Sequence, residues 1–309
     1  MIVTTARGDS PARDAVLVHL GAGIGNIVLA TPLLVVLARA GFAVDVWLSA
    51  DYAETADLLR EWAVVRRLVS RPDLDRYDAV LPAVPPFYWR RFAPVYRGCA
   101  RLVARPPDAL FYENEQAFYL AFARSLGCDA PAPFPMLPVA PPERFAGMAR
   151  SVVLAPGCKT GEMAAKRWPW YGELASRFDE VSIVGTRDDL RLFDGRPMTF
   201  PPRARSFAGR LSLRETAEML ASARVVVAND AGLGHVAAAL GTPAILLFGP
   251  TPDRALGPLP PSAVVVRTGM ACEPCWFNGR FERCARRIDC LRRLEVDRVV
   301  SEMEKAAGA

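Results

Sequence analysis

The chain has 309 residues, of which 51% are hydrophobic and 23% charged, and its formal net charge is +5. This composition excludes an intrinsically disordered chain, and the small, scattered basic excess argues against a nucleic-acid-binding protein. At roughly 100–200 residues per domain, the length favours two domains.

The N-terminal stretch lacks the pattern of a secretory signal. Its first fourteen residues carry charges and no apolar core. The uncharged stretch 15–38 is interrupted by a glycine loop and by Pro32, which indicates a strand, a loop and a helix instead of a membrane span. The sequence therefore predicts a cytoplasmic protein.

In the first half, strand and helix patterns alternate on either side of the glycine loop. Strands are predicted over residues 15–20 and 43–48, and helices over residues 27–40, 51–62 and 113–126. This alternation predicts parallel strands that are joined by crossover helices.

A proline-rich stretch separates this half from a second series of the same kind. Residues 130–142 hold six prolines, which is typical of a stiff linker, so we predict domains over residues 1–140 and 141–309. Strands are predicted over residues 152–155, 181–185, 225–228 and 244–248, and helices over residues 168–178, 213–222, 232–240 and 296–307. Ser212 is the predicted cap of one of these helices.

Three loops at strand-to-helix junctions contain glycine, and such loops lie where ligands bind to an open α/β sheet. The first, residues 21–26, has Asn26 where a dinucleotide fingerprint requires a third glycine. The second, residues 156–169, carries Lys159, Thr160 and Lys166, which suit phosphate. The alternatives are a tight turn for the first loop and an exposed basic loop for the second.

The third loop, residues 229–235, has an Asn-Asp turn, two glycines and His235 at a helix start. This arrangement is typical of an anion site, and the alternative is that Asp230 only caps the helix. The chain has two histidines and contains neither an HExxH nor a GxSxG motif.

Four cysteines fall within the segment 270–292, at positions Cys272, Cys275, Cys284 and Cys290. Four thiolates at this spacing predict a structural iron or zinc site. The alternative is a set of reduced thiols or a redox pair.

Together these residues resemble the ADP-heptose:lipopolysaccharide heptosyltransferases of glycosyltransferase family 9. Four stretches carry the resemblance: GIGNIVLATPLL at 23–34, APGCKTGEMAAKRWP at 155–169, RLSLRETAEMLASARVVVANDAGLGHVAAALGTP at 210–243, and LFGPTPDRALGP at 247–258. The resemblance implies the α/β GT-B fold, in which two Rossmann-like domains face a central cleft. It extends to the cysteine-rich segment, which binds iron in a related branch.

The resemblance also implies roles for individual residues. The N-terminal domain would present the acceptor, with Gly25, Asn26 and Glu113 on that side, and the C-terminal domain would bind the nucleotide sugar. Thr160 and Lys166 would hold the donor phosphates, and Asp188 or Asp189 would grip the ribose. The phosphate–sugar site would be lined by Asp230, Gly232, Leu233, Gly234 and His235. Lysine and helix N-termini would stabilise the leaving diphosphate, so that no cofactor is required.

One position departs from the family, which has an aspartate base where this chain has Asn26. A carboxamide is not a base at neutral pH. Three explanations follow: Asp51, Glu113 or Glu115 replaces the base, Asn26 only orients the acceptor, or the chain is a weak or inactive relative.

The sequence therefore predicts an inverting, metal-independent transferase that moves heptose or a related sugar from an ADP- or other NDP-sugar to a cell-envelope glycolipid or glycan. Peripheral contact with the inner membrane is expected, and arginines 90, 91, 97, 101 and 105 either meet an anionic acceptor or form a solvated face. The alternatives are a nucleotide-sugar-binding relative without catalysis and a nicotinamide-dependent dehydrogenase that uses residues 21–26.

Overall fold

Runs of mainly apolar residues form the strands of four or more residues, because a parallel strand covered by helices buries both of its faces. The computed structural model describes residues 14–159, 165–275, 284 and 288–308. The described strands are β1 (Ala15–Leu20), β2 (Ala43–Leu48), β3 (Arg67–Val69), β4 (Ala79–Leu81), β5 (Val152–Ala155), β6 (Val181–Ile183), β7 (Arg205–Ser206), β8 (Val225–Asn229), β9 (Ala244–Leu247) and β10 (Ala263–Val266). The described α-helices are α1 (Ile24–Leu29), α2 (Thr31–Arg39), α3 (Ala56–Leu59), α4 (Pro86–Phe92), α5 (Asp108–Glu113), α6 (Glu115–Ser125), α7 (Tyr171–Ala175), α8 (Leu213–Ala221), α9 (Gly232–Ala239), α10 (Asp289–Arg292) and α11 (Val296–Gly308).

The chain divides into two units, each with its own parallel sheet. Unit 1 consists of two segments, the residues up to Pro138 and Ala255–Pro258. Unit 2 consists of Val139–Arg254 and the residues from Leu259 onward. The strand order is β3-β2-β1-β4 in unit 1 and β10-β9-β8-β5-β6-β7 in unit 2, and the pairs within each sheet are parallel. The predicted fold class, α/β with parallel sheets, is confirmed.

The helix predicted over residues 27–40 is two helices that meet at Ala30. Pro32 lies in the first turn of α2, where its missing N–H would have no helical partner. The hydroxyl of Thr31 donates to the carbonyl of Val28 at 2.7 Å. The first of these helices begins at Ile24, so the C-terminal part of the predicted glycine loop is helical.

The helix predicted over residues 113–126 is divided in the same way, at Asn114. Asn114 has extended backbone (φ −158°), and its side chain accepts a hydrogen bond from the N–H of Ala117 at 2.9 Å, which caps α6. Glu113 therefore ends one helix and is exposed, whereas Glu115 begins the next and is only 5% exposed.

Other boundaries follow local signals to different degrees. Ser212 caps α8 as predicted: its hydroxyl accepts from the N–H of Glu215 at 3.2 Å, and the Glu215 carboxylate accepts from the N–H of Ser212 at 2.9 Å. The helices predicted over 51–62 and 168–178 are shorter, at four and five residues, and a 3-10 helix (Ala50–Thr55) precedes the first. Among the described residues, no helix is both long and apolar enough to cross a bilayer.

Candidate active site

The carboxyl ends of β5 and β8 are neighbours in the sheet of unit 2, so the residues that follow them come together. Lys166 follows β5, and its Nζ donates to the carbonyl of Asp230 at 2.6 Å and to the Asp230 Oδ2 at 2.8 Å. His235, on the first turns of α9, lies with its Nε2 3.3 Å from the Asp230 Oδ1. Three predicted site residues thus form one cluster, which we call the Lys166–Asp230–His235 cluster.

Asp230 is the centre of charge in this cluster, with a side chain that is 9% exposed. Burial alone would raise the pKa of its carboxyl group, but the ammonium of Lys166 and the ring of His235 hold that pKa well below its usual range. The carboxylate is therefore ionised at neutral pH and fixes the ammonium in place.

Asn229 holds the loop after β5 in place by hydrogen bonds, a role that the sequence motifs did not predict. Its Nδ2 donates to the carbonyl of Pro156 at 2.6 Å, and its Oδ1 accepts from the N–H of Trp168 at 3.0 Å and from the hydroxyl of Tyr171 at 3.1 Å. These bonds tie both ends of the loop after β5 to the end of β8. The one signal in the sequence was an amide side chain at the end of a buried strand.

The start of α9 presents Gly232 and Leu233, which are half-buried, whereas Gly234 is buried. A Cβ atom on Gly234 would lie 2.7 Å from a methyl carbon of Leu246 and 3.0 Å from the Cβ of Ala228. We therefore attribute this glycine to close packing of α9 on the sheet, although the sequence assigned it to the donor site. The Nδ1 of His235 is buried and has no hydrogen-bond partner in the described part of the chain.

The two candidate ribose-binding acids occupy different surroundings. The Asp189 carboxylate accepts from the N–H of Thr186 at 2.7 Å and lies 3.4 Å from the guanidinium of Arg167. Asp188 is exposed, and its carbonyl accepts from Arg167 at 2.9 Å. Asp189 thus shapes its own loop, while the Asp188 side chain faces solvent. Thr160 lies outside the described residues.

In unit 1, the glycine loop passes close to the end of the neighbouring strand. A Cβ on Gly21 would lie 2.1 Å from the hydroxyl of Ser49, so no side chain fits there. Behind the loop, the Nε2 of His19 lies 3.1 Å from the same hydroxyl, and the ring stacks on Trp47 at 3.8 Å between centroids. Burial lowers the pKa of His19 to about 3, so this histidine is neutral at physiological pH.

Asn26 contacts one of the three acids that the sequence offered as a replacement base. Its Nδ2 donates to the Glu115 Oε1 at 2.7 Å, and the hydroxyl of Tyr119 donates to the same oxygen at 2.9 Å. Asp51 instead pairs with Arg91, and Glu113 is exposed at the end of α5. Gly25 is half-buried next to Asn26 on α1.

The four cysteines of the C-terminal segment differ in burial. Cys272 is exposed, Cys275 and Cys284 are half-buried and Cys290 is buried, and none is in a disulfide. Burial raises the pKa of the Cys290 thiol to about 12. Among the described residues, no group of three or more His, Cys, Asp or Glu side chains is arranged to hold a metal ion, so the predicted iron or zinc site finds no support.

A cavity of about 410 Å³ lies beside the N-terminal end of α7. Trp170, Arg196 and Met198 line it, together with six neighbouring residues, and no predicted site residue is among them. We therefore do not assign the donor to this cavity.

Comparison with known proteins places these features in context. The model of glycosyltransferase family 9 (heptosyltransferase) matches residues 115–285, which is more than half of the chain. Lipooligosaccharide heptosyltransferase 2 of Haemophilus influenzae is 34% identical over 122 residues, which are 36% of this chain and 35% of that protein. Lipopolysaccharide heptosyltransferase 1 of Pseudomonas aeruginosa is 48% identical over 120 residues, which are 36% of this chain and 32% of that protein. The chain thus matches about a third of the length of each of these relatives.

The likeness in structure extends further along the chain. The ADP-heptose lipopolysaccharide heptosyltransferase II of Escherichia coli superposes with a TM-score of 0.69 at 21% sequence identity, covering 94% of this chain and 98% of that one. This likeness confirms the predicted fold, that of the GT-B heptosyltransferases.

Proposed function

Because the chain belongs to glycosyltransferase family 9, the heptosyltransferase family, we propose that it transfers heptose or a related sugar from an ADP-sugar or another nucleotide-sugar to a cell-envelope glycolipid or glycan. The names of the relatives support this substrate class, since they act on lipooligosaccharide or lipopolysaccharide and the E. coli structure is named for ADP-heptose. In the molecule, the observation that carries the proposal is the Lys166–Asp230–His235 cluster at the carboxyl edge of the unit 2 sheet.

This cluster suits the departure of a nucleoside diphosphate, whose negative charge grows as the sugar leaves. The ammonium of Lys166 lies at hydrogen-bond distance from Asp230, which holds it at the edge of the sheet. The N–H groups at the start of α9, at Gly232 and Leu233, add fixed positive dipole ends. We propose that these groups together stabilise the leaving diphosphate, with no metal taking part.

Two further side chains support donor binding in unit 2. The buried Nδ1 of His235 has no partner among the described residues, and a hydroxyl group of the nucleotide sugar would satisfy it. The carboxylate of Asp188 faces solvent after β6, where it would accept a hydrogen bond from a ribose hydroxyl. We assign the donor to unit 2 and the acceptor to unit 1.

The chemistry is a single displacement with inversion at the anomeric carbon. The acceptor oxygen forms the new bond to this carbon as the bond to the diphosphate oxygen breaks. The diphosphate leaves with the bonding electrons, and the acceptor hydroxyl gives up its proton to a base.

The dehydrogenase alternative is disfavoured by unit 1 itself. Dinucleotide sites use an acid at the end of the second strand, but Asp45 is fully buried inside β2. Its carboxylate accepts hydrogen bonds at 2.7 Å from both Arg66 and Arg67, so it is committed to an internal ion-pair network.

The proposal is tested by binding and by transfer. ADP is expected to raise the thermal midpoint of the protein more than UDP or NAD does, since a ligand that prefers the folded state stabilises it.

Lys166→Gln is expected to lower kcat/KM for transfer from ADP-heptose by about 10²–10³-fold, the usual effect of removing one oxyanion donor. Lys305→Gln, at an exposed lysine that pairs with Glu302, is the matched control.

A chain that binds ADP but neither transfers nor hydrolyses the donor would support the alternative of a binding-only relative. Stabilisation by NAD alone would overturn the proposal.

A glycolipid acceptor implies contact with a membrane, and unit 1 carries a surface that suits it. Phe87 is 56% exposed and Val95 50% exposed, and Arg90, Arg97 and Arg101 are exposed around them. No acid occurs between residues 86 and 107. We propose that this aromatic–arginine surface, residues 87–101, rests on an anionic bilayer.

A further inference from the structure

We propose that Glu115 is the catalytic base that receives the proton of the acceptor hydroxyl, and that Asn26 is the positioning residue that holds its carboxylate. This inference rests on the proposed transferase function and names a residue that performs one of its steps. The observation behind it is the 2.7 Å hydrogen bond from the Asn26 Nδ2 to the Glu115 Oε1.

The glycine loop at the end of β1 needs a proton acceptor if an acceptor hydroxyl binds there. Asn26 cannot serve, because a carboxamide is too weakly basic to accept a proton in water. His19 lies behind the loop and is fully buried, with its two ring nitrogens at hydrogen-bond distance from Tyr96 and Ser49. Of the three acids that the sequence offered, Glu115 accepts a hydrogen bond from Asn26 of the loop.

The surroundings of Glu115 hold its carboxylate in one orientation. The amide of Asn26 and the hydroxyl of Tyr119 both donate to Oε1, at 2.7 and 2.9 Å. The cap formed by Asn114 fixes Glu115 at the first position of α6, which prevents the side chain from swinging away with a frayed helix end.

In the reaction, the carboxylate takes the proton of the acceptor hydroxyl while the acceptor oxygen bonds to the anomeric carbon of the donor. The bond between that carbon and the diphosphate oxygen breaks, and the diphosphate keeps the electron pair. Glu115 is then neutral and returns its proton to solvent before the next turnover.

The hydrogen bond between positions 26 and 115 permits a swap experiment. Asn26→Asp combined with Glu115→Gln exchanges the amide and the carboxylate, so that the pair keeps its total charge and its hydrogen bond. Asn26→Asp alone places two carboxylates at hydrogen-bond distance, where like charges cannot both ionise easily and the pair shares a proton.

The experiment measures kcat/KM for sugar transfer against pH in the wild type, the two single variants and the swap. Glu115→Gln is expected to lower kcat/KM by about 10²–10⁴-fold and to abolish the fall of activity on the acid side of the profile. The swap is expected to have a kcat/KM at least tenfold higher than that of Glu115→Gln. Glu54→Gln, at an exposed glutamate of the same unit, is the control for charge.

Stabilisation of each variant by ADP shows that it is folded and still binds the donor. The inference is overturned if Glu115→Gln keeps the wild-type profile, if the swap is no better than Glu115→Gln, or if the loss follows Glu113→Gln instead. A wild-type protein without ADP stabilisation and without transfer overturns the proposed function as well, so the two failures are distinct.

Discussion

Lys166 and Asp230 form an ion pair that is mostly withdrawn from water, with side chains that are 14% and 9% exposed. Their loops follow adjacent strands, so the contact depends on the sheet and not on closeness in sequence. At such burial, desolvation cancels much of the attraction, and the pair adds little net stability. Removing only one partner is nevertheless costly, because it leaves the other charge buried without a counter-ion.

Lys166→Met is therefore expected to destabilise the protein by about 3 kcal/mol, because it leaves the buried Asp230 carboxylate without its cation. Adding Asp230→Asn removes the stranded charge, so the double variant should unfold at a higher urea concentration than Lys166→Met alone. Urea unfolding of the four proteins gives the coupling. A double variant that is no more stable than Lys166→Met would contradict a charge-pair origin.

His19 provides a pH prediction with a definite sign. Its pKa is about 3 in the folded protein against 6.5 for a free histidine, because burial disfavours the charged ring. Between these values the unfolded chain binds a proton that the folded protein does not. The free energy of unfolding should therefore fall as the pH is lowered from 6.5 towards 3, by about 1.4 kcal/mol per pH unit from this residue.

The measurement is the pH dependence of urea unfolding between pH 4.5 and pH 6.5, in the wild type and in His19→Gln. The variant is expected to show a shallower dependence in this window, whatever its stability at pH 7. Equal slopes would mean that folding does not lower the pKa of His19.

At the scale of elements, the sequence predicted strands better than helix boundaries. β1, β2 and β5 begin and end where apolar runs do, because a buried parallel strand needs no side-chain alternation to be recognised. The helices over 27–40 and 113–126 were predicted as continuous, since apolar periodicity runs through Pro32 and Asn114. The breaks come from one proline ring and one side-chain cap, which periodicity does not report.

Two short strands could not be predicted from composition alone. β3 and β7 have three and two residues and each begins with an arginine, so pairing with a longer neighbour defines them more than their own composition does. The candidate site likewise has residues that motifs predict and one that only the tertiary structure shows. The sequence predicted Lys166, Asp230 and His235 from motifs, but Asn229 acts through contacts with Pro156, Trp168 and Tyr171, which lie about 60 to 70 positions away.

The packing of α9 on the sheet gives a test at this scale. Gly234→Ala would gain up to about 1 kcal/mol of helix propensity, but its Cβ would lie 2.7 Å from Leu246 and 3.0 Å from Ala228. Overpacking in a close-packed core costs about 1–3 kcal/mol, so a net loss of stability is expected. Because α9 carries His235, weaker ADP binding should accompany it.

Gly147→Ala is the matched control in the same unit, since a Cβ there meets no atom within 4 Å. It should leave ADP binding unchanged and should not lower the thermal midpoint, because it adds helix propensity without overpacking. A Gly234→Ala variant as stable as the wild type would show that α9 can move off the sheet at no cost.

At the scale of the whole molecule, the net charge of +5 is small, and its distribution carries more information than its size. The segment from residue 86 to residue 107 holds five arginines and no acid, whereas acids and bases are mixed elsewhere in unit 1. An anionic bilayer attracts each basic residue near its surface by about 1 kcal/mol, and exposed Phe87 adds apolar contact.

The protein is therefore expected to sediment with vesicles that contain anionic lipid and to remain in solution with purely zwitterionic vesicles. Changing Arg90, Arg97 and Arg101 together to glutamine should weaken binding to the anionic vesicles about a hundredfold, from three lost attractions. The matched control changes three other exposed arginines of unit 1 to glutamine, namely Arg39, Arg60 and Arg124.

Both triple variants lower the net charge by the same amount. If total charge governs binding to the vesicles, the two variants should lose equal affinity. If the aromatic–arginine surface governs it, only the first variant should lose affinity. Salt separates the two contributions to binding, because at about 1 M the Debye length is only about 3 Å and the arginine attraction is screened while apolar contact is not. Equal losses in the two triple variants would show that the attraction is not localised on residues 87–101, and the orientation on the membrane that follows from it would then be wrong.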